Sequence, residues 1–219
     1  MNIRTRRRDE QVSATREALL AAAERLFAER GVHAVGNRQI SEAAGQGNNA
    51  AVTYHFGTKA DLIRAISRRH AERIEAIRER MMAGIAGSTD LRDWVACLVR
   101  PFTEHLETLE AAGGPTWYAR FTAQVMADPA FSAIMVDEAV SAAPALRTYR
   151  EGLTRCLPGL PDELHSERFA MARHLIVQMC VERERALAEG APTFRPTWAS
   201  TADGLIEAIL ALWQAPAGP

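Results

Sequence analysis

The sequence predicts an all-α chain: an N-terminal three-helix domain carrying a helix-turn-helix, then a larger C-terminal helical domain. Three observations carry this. Apolar residues recur at i, i+3, i+4 spacing along most of the chain, and no segment shows the alternation of a strand. Gly and Pro fall between these runs at helix-length intervals, as at Gly31, Gly84, Gly113-Gly114-Pro115, Pro161 and Pro196. Between Gln39 and Leu62, two short helical patterns flank a glycine-bearing turn and lead into a third, capped helix start.

Residues 1–12 hold Arg4, Arg6, Arg7 and Arg8 and little apolar content, so a flexible basic arm is expected. Such an arm either lies along a nucleic-acid groove or is simply solvated. The first helix, about Ser13 to Arg30, puts Leu19, Ala22, Ala23, Leu26 and Phe27 on one face and stops at Gly31. Ile40, Ala43 and Ala44 line a short second helix. Gly45, Gly47, Asn48 and Asn49 make the turn, and Ala50 to His55 forms a third helix with Val52 and Phe56 inward. Thr58 and Asp61 read as a capping box for a fourth helix reaching about Met82, roughly 35 Å long at 1.5 Å per residue. Residues 13–66 are the expected DNA-binding domain. The fourth helix is its lever to a body of residues 67–215. In a helix-turn-helix the second helix enters the major groove; an ordinary αα-hairpin is the alternative.

The body continues with Thr89 to Glu110, where Pro101 predicts a kink or break. A helix from Pro115 to Met126 follows. Another begins at Asp128-Pro129, is interrupted at Ala143-Pro144 and closes by Pro158. Pro161 opens a long helix to about Ala188, and Pro196 the last, to about Trp213. The last two carry apolar stripes: Ala172, Leu175, Ile176 and Met179 on one, and Trp198, Ala202, Leu205, Ile206, Ile209 and Trp213 on the other. These stripes bury either against the chain's own core or against a second copy.

Charge separates the two parts. Residues 1–80 carry a net +5 and residues 81–219 a net −6, which suits a phosphate-binding head on a body that avoids DNA. Of the 26 basic residues only Lys59 is a lysine, and it stands at a helix N-terminus, where backbone N–H groups and an ammonium can share one phosphate. No run of about 18 apolar residues exists, and the N-terminus lacks the apolar region of a secretory signal. Cys97, Cys156 and Cys180 are odd in number and far apart, which excludes a disulfide framework and fits a cytoplasmic location.

Chemistry-bearing motifs are missing. There is no G-x-S-x-G, phosphate-cradling glycine loop or H-E-x-x-H, and His70, His105, His165 and His174 lack partners at ligand spacing. No catalytic residue, metal or cofactor is expected. His174 and Gln178, one turn apart, are polar handles for a cavity or an interface.

The segments LFAERGVHAV, RQISEAAG and YHFGTKADL, within about Thr15 to Ile66, resemble the DNA-binding domain of the tetracycline-repressor-like (TetR) family of bacterial transcription regulators. Two features depart from the family pattern. The turn between Gly45 and Phe56 is one residue longer than the common spacing. Counted back from Phe56, Thr53 falls where the family most often has a phosphate-contacting tyrosine, with Tyr54 beside it.

The resemblance implies a homodimer on a palindromic double-stranded DNA operator, most often as a repressor released by a small-molecule effector. The DNA surface would comprise Arg38, Gln39, Asn48, Asn49, Thr53, Tyr54, His55 and Lys59, with Asn49 and Thr53 at base edges and Tyr54, His55 and Lys59 on phosphates. It implies an enclosed ligand pocket, for which Trp94, Phe102, His105, Trp117, Phe121, Met135, Tyr149 and Gln178 are candidate linings. It also places the two striped helices at the dimer interface. A helical small-molecule-binding or catalytic protein, whose helix-turn-helix-like head is only structural, is the competing reading.

Overall fold

The computed structural model describes residues 3–135, 145–157 and 159–216. Among these residues there are nine numbered helices and no strand. They are α1 (Ile3–Arg30), α2 (Asn37–Ala43), α3 (Ala51–Phe56), α4 (Lys59–Gly84), α5 (Leu91–Ala111), α6 (Tyr118–Ala127), α7 (Ala145–Cys156), α8 (Asp162–Glu189) and α9 (Trp198–Gln214). The interruption expected at Ala143-Pro144 lies outside the described residues. The chain divides into two compact units, Met1–Arg69 with Arg120–Glu138, and His70–Ala119 with Ala139–Pro219.

In the first unit the expected apolar faces meet: Leu19, Leu20, Ala23, Leu26 and Phe27 of α1 are buried with Val35, Ile40, Val52, Leu62, Ile63 and Ile66. A three-helix core of this size is marginal alone. It is enlarged by the segment from Arg120, which sequence pattern alone assigns to the body. Phe121 is fully buried and stacks on Phe27 with ring centroids 6.3 Å apart. His33 pairs with Asp128 and its ring lies 5.7 Å from that of Phe131, while the Ser67 hydroxyl meets the Met135 sulfur at 3.0 Å. Arg69 on α4 reaches back to Glu17 at 3.2 Å and to the buried Glu24 at 2.8 Å, both on α1.

The first helix differs from the expected flexible arm, since α1 begins at Ile3. Residues 3–12 contain neither Gly nor Pro and are rich in Arg, Glu and Gln. Such residues extend a helix cheaply once the packed turns beyond Ser13 have nucleated it.

In the second unit, α5 runs through Pro101 without a break. Proline withdraws the N–H that would bond the carbonyl four residues earlier, here that of Cys97. Arg78 on α4 donates from Nη1 to that carbonyl at 2.8 Å, and the same guanidinium holds Glu75 at 3.0 Å through Nε. A distant side chain therefore satisfies the acceptor that proline orphans, and the helix stays whole.

The last helix packs on α5. Arg92 pairs with Glu207 at 2.6 Å, Arg100 with Asp203 at 2.8 Å, and Trp198 Nε1 donates to Glu110 at 2.5 Å. The α9 stripe is consequently core: Trp198, Ala202, Leu205, Ile206, Ile209 and Trp213 are buried within the subunit, as are Ala172 and Ile176 of α8. Of the ten residues expected at a dimer interface, only Leu175 and Met179 keep partial exposure. An apolar stripe records that a face is covered but not what covers it, and here the cover is α5. Gly190, in the left-handed region at φ 64°, ends α8.

Candidate nucleic-acid interface

The helix-turn-helix is built from local capping. At the start of α2 the Gly36 N–H donates to the side-chain oxygen of Gln39 at 2.8 Å, which fixes the helix entry without a hydroxyl cap. The α2 helix ends at Ala43, and Gly45 then adopts φ 69°, a turn geometry that other residues take up only with strain. Asn48 closes the turn: its side-chain oxygen accepts from the Ala50 N–H at 2.9 Å. Val52 and Phe56 anchor α3 inward, and the Arg16 guanidinium of α1 sits 4.9 Å from the centre of the Phe56 ring. Gly57 leaves α3 at φ 78°, and Thr58 with Asp61 forms the expected capping box of α4. There the Asp61 N–H reaches the Thr58 hydroxyl at 3.1 Å and the Thr58 N–H reaches Asp61 at 3.3 Å.

This framework turns the polar side of α3 outward. Tyr54 is 79% exposed, with the His55 ring edge-on to it at 5.1 Å, and Asn49 and Thr53 are exposed beside it. Among the described residues Asn49 has no side-chain hydrogen bond, which leaves both its donor and its acceptor for a base edge. Thr53 accepts from Asn37 Nδ2 at 3.2 Å, a link from the first residue of α2 to the middle of α3. Sequence reasoning passes over Asn37. Its signal is an amide side chain at the first turn of α2, directly after the N-cap Gly36.

Other expected contacts carry structural duties. Gln39 is engaged at its own helix N-terminus and Asn48 in the turn. Arg38 is held by Glu42 at 2.7 Å, and that hydrogen bond and charge raise its pKa above the ordinary arginine value. Lys59 donates to the Val32 carbonyl at 2.9 Å, tying the start of α4 to the loop after α1. An ammonium has three donors, so two remain for a phosphate at the α4 N-terminus.

The residues expected to line a ligand pocket divide between the units. Phe121 and Met135 belong to the first, where they pack on Phe27 and Ser67. In the second unit, His105 Nε2 and His70 Nδ1 lie 2.7 Å apart, and His70 stacks on Tyr118 with centroids separated by 3.8 Å. Phe102 is half-buried, its ring 5.7 Å from Tyr118, and Trp117 is also half-buried. Trp94 donates to the Ser88 carbonyl at 3.0 Å and meets Tyr149 edge-on at 6.4 Å. Among the described residues the buried Tyr149 hydroxyl has no hydrogen-bond partner, and burial drives its pKa upward. Gln178 instead points to the surface, donating to Glu182 at 3.3 Å. Among the described residues no cluster of His, Cys, Asp or Glu could hold a metal ion, and no helix is long and apolar enough to cross a membrane.

The exposed outer face of α3, braced by α2 and capped into α4, defines a helix-turn-helix DNA-binding protein. Residues 19–66 match the family of bacterial regulatory proteins of the tetR type, and residues 96–211 match the tetracyclin repressor-like C-terminal domain. The second match alone covers more than half of the chain, and the chain belongs to the TetR family of transcriptional regulators. It is 32% identical over 87 residues to the HTH-type transcriptional repressor AcnR of Corynebacterium glutamicum, an alignment spanning 37% of this chain and 46% of that protein. The fold is similar to that of the TetR-family regulator PfmR from Thermus thermophilus, with TM-score 0.51, 17% identity and 92% and 96% of the two chains covered. A putative TetR-family regulator from a Rhodococcus species gives TM-score 0.50 at 14% identity, covering 92% of this chain and 100% of that one.

Proposed function

We propose that this regulator is a cytoplasmic homodimeric repressor that holds a palindromic operator and releases it when a small molecule occupies the body. The observation that carries the DNA reading is the outward face of α3 with the turn that enters it, where Asn49 in the turn and Thr53 and Tyr54 on the helix stand exposed on a locally capped frame. In this reading Asn49 reads a base edge and Thr53, aimed by Asn37, reads a second. Tyr54, His55 and the two remaining donors of Lys59 meet phosphates. Arg38, Gln39 and Asn48 contribute chiefly by holding the frame. The relative from C. glutamicum is named a repressor, which supports repression over activation. A two-fold dimer matches half-sites one helical turn, about 34–36 Å, apart.

Titrating the full-length protein against DNA flanking its own gene, at several salt concentrations, tests this. Protection of a palindrome, with affinity falling steeply as salt rises, is the expected result; equally weak binding to every sequence would remove the reading. Lys59→Ala is expected to weaken all sequences alike and flatten the salt slope by about one unit.

A further inference from the structure

The commonest base-specific contact in DNA recognition is an Arg or Lys donating to the two acceptors on the edge of a guanine. The face built by α3 and its entry turn has no residue to make it. From Gln39 to Thr58 neither Arg nor Lys occurs, although the chain holds 26 of them. The cations at either end of this stretch are engaged: Arg38 with Glu42 on its own helix at 2.7 Å, and Lys59 with the Val32 carbonyl at 2.9 Å. Tyr54 and His55 each offer at most a single donor at a time to a base, and a single donor does not tell guanine from the other bases that present an acceptor.

What the face does offer is an amide and a threonine. An asparagine in a turn ordinarily serves the turn, but here Asn48 has that duty, its side-chain oxygen accepting from the Ala50 N–H at 2.9 Å. Asn49 is exposed beside it with its amide unused among the described residues. A carboxamide sets one donor beside one acceptor, which matches the N7 acceptor and N6 donor of adenine. Guanine shows two acceptors there, and the amide oxygen would face one of them. Thr53, also exposed, accepts from Asn37 Nδ2 at 3.2 Å, so its hydroxyl is already oriented and has one donor left. Thymine is the base that pairs an acceptor, O4, with a methyl group in the major groove, and threonine can meet both.

We propose that this face selects its operator by A·T pairs: Asn49 reads the N7 and N6 edge of an adenine, Thr53 reads the O4 and methyl of a thymine, and no guanine is read. The proposal rests on the reading of α3 and its turn as the base-contacting surface. Asn49 and Thr53 stand four residues apart, about one helical turn or 5.4 Å, against about 3.4 Å per base-pair step. The adenine and the thymine therefore lie within two base pairs of each other in each half-site. Asn37 is a positioning residue for the thymine contact, since it reaches the base only through Thr53.

The test selects duplexes from a random library with the full-length protein, then remakes the selected site with changes of single groups. Deazaadenine replaces the N7 acceptor by C–H, and uracil removes the thymine methyl. One adenine of the half-site should lose about fivefold in affinity on the deaza change with the parent protein, and nothing with Asn49→Ala. One thymine should lose about threefold on the uracil change with the parent, and nothing with Thr53→Ser, which keeps the hydroxyl that Asn37 holds. Asn49→Arg should select guanine in place of that adenine. Both side chains are exposed, so thermal midpoints should not move. A half-site sensitive to deazaguanine and indifferent to deazaadenine would overturn the proposal while leaving the DNA reading intact. So would a deazaadenine loss that persists in Asn49→Ala, or a guanine preference abolished by Arg38→Ala, which would make Arg38 the reader. Enrichment of no sequence at all would instead remove the reading of the face itself, and the proposal with it.

Discussion

The chain contains two helix pairs that bear on function, α2–α3 in the first unit and α8–α9 in the second, and they carry information differently. In α2–α3 each helix is so short that its few apolar residues, Ile40 on one and Val52 with Phe56 on the other, fix which side is inward. What remains outside is the site. In α8–α9 both helices are long, and the stripe on α9 specifies burial without naming the partner. Short capped elements therefore disclose their surface from sequence, while long amphipathic ones disclose only that a surface is covered.

The sharpest way to break this comparison is to cut into the α9 stripe. Ile209 is fully buried inside the subunit, so Ile209→Ala should cost about 2–5 kcal/mol, read by denaturant unfolding. Because the cover is α5, the loss should not depend on protein concentration. A loss that vanishes in concentrated samples would return the stripe to an intersubunit role.

Arg78→Met tests the second unit at a polar point. It strands the Cys97 carbonyl that Pro101 leaves without a helical donor, and a loss of about 1–3 kcal/mol is expected. Pro101→Ala in the same background should recover part of it, because the restored N–H supplies the missing bond. No recovery would mean that Arg78 acts through Glu75 instead.

The head should respond in the opposite manner. Asn49→Ala or Thr53→Ala should leave the thermal midpoint almost unchanged and cost about 1–3 kcal/mol of operator affinity, with little loss on non-specific DNA. Asn37→Ala, acting through Thr53, should cost less and relax preference at one base position only. A uniform loss on all sequences would make Asn37 a support of the fold and not of the reading.

These contrasts say which parts of the molecule were legible. The Thr58–Asp61 box, the Gly45 turn and the α3 face were readable because each depends on residues within three or four positions of one another. Of the kink or break that Pro101 predicts, the break does not occur, because its remedy, Arg78, lies on another helix. Phe121 and Met135 were read as pocket linings because their type is right for one. Nothing local says that the segment from Arg120 folds with the first unit, where Phe27 of α1 and Ser67 of α4 take them up. Lys59 stands out as the one lysine, but its bond to the Val32 carbonyl spans 27 positions and leaves no sequence trace.

The smallest expected effect lies at the junction of α3 and α4, and it is a matter of pH. Asp61 is exposed, and the Thr58 hydroxyl and N–H, then Arg64, hold its pKa below the ordinary carboxylate value. A carboxylate whose pKa is lower folded than unfolded stabilises the fold above its unfolded pKa of about 4, and that stabilisation drains away as pH falls through the folded value. Asp61→Asn keeps an acceptor for Thr58 but removes the titration. Thermal midpoints of the variant and the parent should therefore differ slightly at pH 7 and converge once the pH has fallen below the folded value. At pH 7 the variant should still bind operator with the parent's base preference, because the cap positions α4 and does not read DNA. A shift in preference would instead mean that the capping box sets the angle at which α3 meets the groove.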